Sequence, residues 1–111
     1  MEQETLIHLG AALRELVAIL KKDPACKWTN KFKIDLDDCQ KVLDTGGSKE
    51  DLMALSKSIT EVFQGMGSFN DYSPSTYDEK TGQYTLISGT ERFEDVSTRV
   101  FDLAVGLRAN N

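Results

Sequence analysis

Reactive side chains are scarce in this chain of 111 residues. It carries two cysteines, Cys26 and Cys39, and a single histidine, His8. The cysteines are far from C-x-x-C spacing, and a structural zinc site takes a tetrahedral set of Cys and His ligands, one more than this chain has. His8 lies between Ile7 and Leu9 near the start of a helix, and nothing marks a nucleophile for it to activate, so it is expected at a surface or boundary. Both cysteines are expected to pack as small apolar side chains. Cys26, just ahead of a helix, is the one whose thiolate would be favoured. There is no G-x-S-x-G elbow, G-x-x-x-x-G-K-[ST] loop, H-E-x-x-H pair or EF-hand loop. Gly65-x-Gly67 lacks the third glycine of a dinucleotide loop and follows a helix rather than a strand. No catalytic residue, metal site or cofactor is therefore predicted.

Carboxylates are the remaining candidates. Asp35, Asp37 and Asp38 fall on one helical turn, and Glu91, Glu94 and Asp95 on another. Two such groups converging would suit a divalent metal or acid–base chemistry. They fall opposite the apolar stripes, however, and the E-x-x-H pattern of bundle metal sites is missing. Solvated surface is the expectation, with partner binding as the functional alternative.

Charge narrows that alternative. Eighteen acids against 13 Lys and Arg give a net charge of −5, which excludes a chain-wide basic footprint for nucleic acid. No run approaches the roughly 20 apolar residues of a membrane span. The opening Met-Glu-Gln-Glu lacks the basic and apolar regions of a signal peptide, so a cytoplasmic protein is expected. Between positions 70 and 95 stand Asp71, Asp78, Glu79, Glu91, Glu94 and Asp95 against only Lys80 and Arg92, a net −4. The same stretch holds Tyr72, Tyr77 and Tyr84. Tyrosines among acids suit a basic protein surface, with the field steering encounter and the rings anchoring it.

The elements that must position these residues follow from periodicity. Leu6, Leu9, Leu13, Leu16, Val17 and Leu20 predict an amphipathic helix over 3–22, stopped by Asp23-Pro24. Trp28, Phe32, Leu36, Cys39 and Leu43 predict a second over 25–44, ended by Gly46-Gly47. Ser48-Lys-Glu-Asp51 approximates a capping box for a third, with Leu52, Leu55, Ile59, Val62 and Phe63 carrying it to about Gln64. Beyond Pro74, the stretch 77–87 reads as a β-hairpin turning at Gly82 and leaning on the helices, because a lone hairpin is marginal in water. Ser88 or Thr90 is expected to cap a final helix over 91–108, striped by Phe93, Val96, Val100, Leu103 and Leu107. The prediction is a mainly α, single-domain four-helix bundle over 1–111 with a small β-hairpin between helices three and four. Its expected radius of gyration is about 13 Å.

Gly65-Met66-Gly67-Ser68-Phe69-Asn70-Asp71-Tyr72 breaks the helical period with two glycines and two turn-formers around two aromatic rings. This segment resembles a family of small bacterial proteins with a Gly-Met-Gly-Ser-hydrophobic-Asn-Asp element between two helices. The resemblance extends over roughly 25–107, through Trp28 and the closing Phe101-Asp-Leu-Ala104. Such small acidic proteins look similar to immunity proteins of polymorphic-toxin systems. By that similarity the chain would bind one cognate toxin domain and block its active site, as a monomer or weak homodimer when free. Gly65, Met66, Gly67, Ser68, Phe69 and Asn70 would specify the fold. Asp71, Tyr72, Tyr77, Asp78, Glu79 and Tyr84, on an exposed loop and hairpin, would contact the toxin. An intracellular adaptor or regulatory protein-binding module, monomeric or homodimeric, is the alternative.

Overall fold

The computed structural model describes residues 2–64, 69 and 72–109. Among them the chain is mainly helical, with α1 (Glu2–Leu20), α2 (Thr29–Thr45), α3 (Lys49–Thr60) and α4 (Phe93–Ala109). A short 3₁₀ turn spans Glu61–Phe63, and strands β1 (Ser75–Asp78) and β2 (Gln83–Leu86) form an antiparallel hairpin. The bundle with its hairpin is the predicted fold. Of the segment expected to specify the fold only Phe69 is described; Gly65, Met66, Gly67, Ser68 and Asn70 lie outside the described residues.

Helix α1 is the hub, packing against both α2 and α4. Its whole predicted stripe is buried, with Ala12 and Ile19 added. Gly10 faces α2 beside Cys39: a Cβ there would sit 3.7 Å from Cys39 Sγ, an ordinary contact distance. The Cys39 thiol in turn donates to the Leu6 carbonyl at 3.4 Å. Burial pushes that thiol up to about 11, so Cys39 is an inert core group.

Helix α2 starts later than the predicted position 25. Asp23 Oδ1 accepts from Ala25 N–H, its carbonyl accepts from Cys26 N–H, and Cys26 Sγ accepts from Trp28 N–H. These local bonds occupy the donors that a helix starting at Ala25 would orient along its axis. The buried face is also rotated, made by Phe32, Asp35, Cys39 and Val42, with Leu36 and Leu43 half-buried beside it. Gly46 and Gly47 end the helix at φ 83° and 60°, where only glycine sits without strain. Ser48 and Asp51 then form the expected reciprocal capping box.

Helix α3 packs on α4, where buried Ser56 donates to the Ala104 carbonyl at 2.6 Å. Its last predicted turn tightens into the 3₁₀ segment. Helix α4 begins at Phe93, and the Thr90 hydroxyl donates back to the Ile87 carbonyl instead of capping it. Ala104, not Leu103, completes its buried stripe.

Phe69 lies at the centre of an aromatic cluster. Its ring meets Phe32, Phe63, Phe93, Trp28 and Tyr72 at centroid distances of 4.7, 5.2, 5.6, 5.7 and 5.8 Å. Four of these five contacts are edge-on or tilted, the arrangements the ring quadrupole favours.

The hairpin departs from expectation. Every residue from 76 to 86 is exposed, so it stands off the bundle instead of leaning on it. The molecule accordingly measures 53 × 25 × 20 Å, and its radius of gyration of 15.0 Å exceeds the compact value. Only the base of the hairpin is anchored. Pro74 and Thr90 are buried, and Ile87 N–H donates to the Pro74 carbonyl at 2.9 Å.

Candidate functional site

The register pairs Ser75 with Leu86, Thr76 with Thr85, Tyr77 with Tyr84 and Asp78 with Gln83. Because side chains alternate along a strand, Ser75, Tyr77, Tyr84 and Leu86 share one face, and Thr76, Asp78, Gln83 and Thr85 share the other. The first face is aromatic and aliphatic. Tyr77 and Tyr84 tilt together at 5.0 Å, with Tyr77 54% and Tyr84 74% exposed and Leu86 48% exposed beside them. Gly82, at φ 69°, makes the turn as the sequence indicated, its N–H bonded to the Asp78 carbonyl at 2.8 Å.

The structure thus brings together Tyr77, Asp78, Glu79 and Tyr84 from the predicted surface, on one projecting arm. Asp78 is also committed to the turn, its Oδ1 accepting from Lys80 N–H, and it points away from the tyrosine face. Asp71 lies outside the described residues. Leu86 was missed by sequence reading, although its place two residues after Tyr84 puts it on the same face.

Tyr72 is a correction. Expected on an exposed loop, it is half-buried, stacks on Phe69 and meets Phe93 edge-on at 5.5 Å. Its hydroxyl donates to Asp23 Oδ2 at 2.7 Å, which ties the segment before the hairpin to the end of α1. The ring belongs to the core cluster because its contacts are aromatic and its one polar atom is satisfied internally. Burial first, and then the bond to Asp23, hold the phenol well above its ordinary range. The folded state therefore favours the neutral phenol. That contribution is complete below the unfolded phenol's value near 10 and is lost progressively as the pH rises beyond it. Tyr72→Phe is expected to cost about 1–2 kcal/mol at neutral pH, because Oδ2 of buried Asp23 loses the Tyr72 hydroxyl and only Oδ1 keeps a donor, Ala25 N–H, among the described residues. It should also flatten the loss of stability above about pH 10. Urea unfolding of both proteins across the alkaline range checks this, and an unchanged alkaline slope would refute it.

A second polar cluster joins α2 to α3. Lys31 Nζ lies 2.9 and 2.7 Å from the two oxygens of fully buried Asp35 and 2.7 Å from Ser58 Oγ, which itself donates to Asp35 Oδ1 at 2.8 Å. Asp35 was expected on a solvated face. It stands three positions after Phe32 and four before Cys39, on the true buried stripe, and four after Lys31, the spacing of an ion pair. The serine–lysine approach superficially suits nucleophilic catalysis. Yet an ammonium paired with a carboxylate has no lone pair to accept the serine proton, so the cluster acts as a clasp. Beside it a groove of about 530 Å³ opens between α2 and α3, lined by Ser58 of the clasp and by Asp38, Lys41, Val42, Asp51 and Leu55 among others.

Among the described residues no group of three or more His, Cys, Asp or Glu is placed to hold a metal ion. No helix among them is long and apolar enough to cross a membrane. Glu91, Glu94 and Asp95 are exposed, and Arg92 pairs with Glu15 at 2.6 Å on the surface, where such pairs add little. Compared with protein-family models, curated proteins and solved structures, the chain has no match.

Proposed function

We propose that this protein is an immunity protein that binds one cognate toxin domain and blocks its active site, with the projecting hairpin as the plug. The observation that carries this reading is the pair of exposed rings, Tyr77 and Tyr84, on an arm that the bundle does not need for its core. Tyrosines that a partner can bury are common anchors of tight protein complexes. Asp78 and Glu79 at the tip, on a chain of net charge −5, favour a basic cleft such as a toxin acting on nucleic acid or nucleotides requires. Tyr72 leaves the contact set and joins the core that supports it.

The test pairs capture with rescue. Tagged protein is used to recover a partner from the source cells at low and high salt, and that partner is then produced with and without the chain. A single stoichiometric partner that arrests growth alone and is silenced by the chain is expected. Tyr77→Ala with Tyr84→Ala should weaken the complex about 100-fold or more and abolish rescue. Its melting temperature should stay unchanged. Full rescue by the double variant would refute the hairpin as the contact. A self-associated chain with no growth-arresting partner would favour the regulatory module.

A further inference from the structure

The hairpin's main chain is as telling as its rings. In an antiparallel pair, residues opposite one another alternate between exchanging hydrogen bonds and turning their N–H and C=O groups outward. Ile87 N–H donates to the Pro74 carbonyl, which fixes the phase of that alternation. With the observed register, Thr76–Thr85 and Asp78–Gln83 are the bonded pairs, and Ser75–Leu86 and Tyr77–Tyr84 are the outward ones. Tyr84 and Leu86 therefore present their backbone donors and acceptors along the outer edge of β2. Among the described residues, no hydrogen bond to another element satisfies them.

This edge is short, but it lacks the charge and the proline that guard many edge strands. Gln83, Tyr84, Thr85 and Leu86 carry no charge and no proline, and all four are exposed. The β1 edge is more guarded, with Ser75 half-buried next to Pro74 and an acid at Asp78. A two-stranded ribbon that packs on nothing is also marginal by itself and gains most from a third strand.

We propose that the β2 edge accepts an extended strand from a basic protein partner, through main-chain bonds to Tyr84 and Leu86. Alternate side chains of that strand pack over the Tyr84–Leu86 face, and Lys or Arg residues flanking it are favoured by the chain's net charge of −5. A second copy of the chain is the poorer occupant, since it would bring another net charge of −5 to the same place. This inference rests on the reading of the hairpin as the toxin contact and names the chemistry by which it binds.

The probe is a short blocked peptide of alternating valine and threonine with a lysine at each end, added to the full chain and followed by amide NMR and hydrogen exchange. The Tyr84 and Leu86 amides should exchange fast in the free protein, then shift and slow with peptide. Glutamate in place of the lysines, or N-methylation of the bonding amides, should weaken binding about tenfold or more. Leu86→Pro, which removes an outward N–H, should weaken it more than Leu86→Ala, which keeps that group. Amides that stay unshifted and fast at millimolar peptide would overturn the proposal. So would concentration-dependent protection without peptide, which would identify a second copy as the occupant. Growth rescue is read separately. Rescue that depends on the tyrosines, with no strand addition, leaves the toxin reading standing and removes this one.

Discussion

Phe69→Ala is expected to cost about 4 kcal/mol of folding stability, within the range for emptying a buried aromatic site. The ring is 2% exposed and touches five other rings, drawn from α2, from the 3₁₀ turn, from α4 and from Trp28 and Tyr72 outside them. Removing it takes away its own transfer free energy and leaves a cavity whose walls are held on separate helices, which limits collapse. The edge-to-face pairs add to the loss. Chemical denaturation gives the number, and the single tryptophan provides the signal because Trp28 packs edge-on against the missing ring. Phe69→Leu should recover about half of the loss by restoring volume without the ring edges. A cost below about 1 kcal/mol for the alanine variant would show that the cluster closes without this residue.

Lys31→Met should cost about 3 kcal/mol, in line with breaking a buried ion pair by removing one partner. Asp35 is wholly buried and, among the described residues, would keep only the Ser58 hydroxyl as a side-chain donor. The double variant Lys31→Met with Asp35→Leu removes the stranded charge as well and should return most of that stability, because the pair's desolvation cost nearly cancels its attraction. Urea midpoints for both variants and the parent form the comparison. A double variant no more stable than the single one would mean that the clasp contributes through its geometry rather than through charge compensation.

The helices were legible because their apolar residues recur at three and four positions, and that period survives small errors of phase. Phase itself was less legible. Leu36 and Leu43 fit the spacing but sit only half-buried at the side of the core, and the true face, through Asp35 and Val42, was concealed by an aspartate whose partners come from two helices. Boundaries failed where side chains compete with the backbone, as at Asp23 and Cys26, and again at Thr90. In the candidate site, Tyr77 and Tyr84 were found because strand alternation and the Gly82 turn are local signals. Tyr72 was misplaced because its acceptor, Asp23, is remote in sequence and no local pattern announces the bond. The hairpin's separation from the bundle was unreadable for a related reason: lack of tertiary contact leaves no mark on the composition of a strand.

That separation divides the molecule's mutational landscape. Sites that share no neighbours contribute to free energy nearly additively. A substitution at Tyr77, Tyr84 or Leu86 therefore alters the exposed face of the arm at almost constant folding stability, and repacking around Phe69 leaves that face as it was. The surface of the arm and the foldedness of the bundle can thus drift under separate selection, so a lineage carrying this scaffold is free to change the one while the other stays fixed.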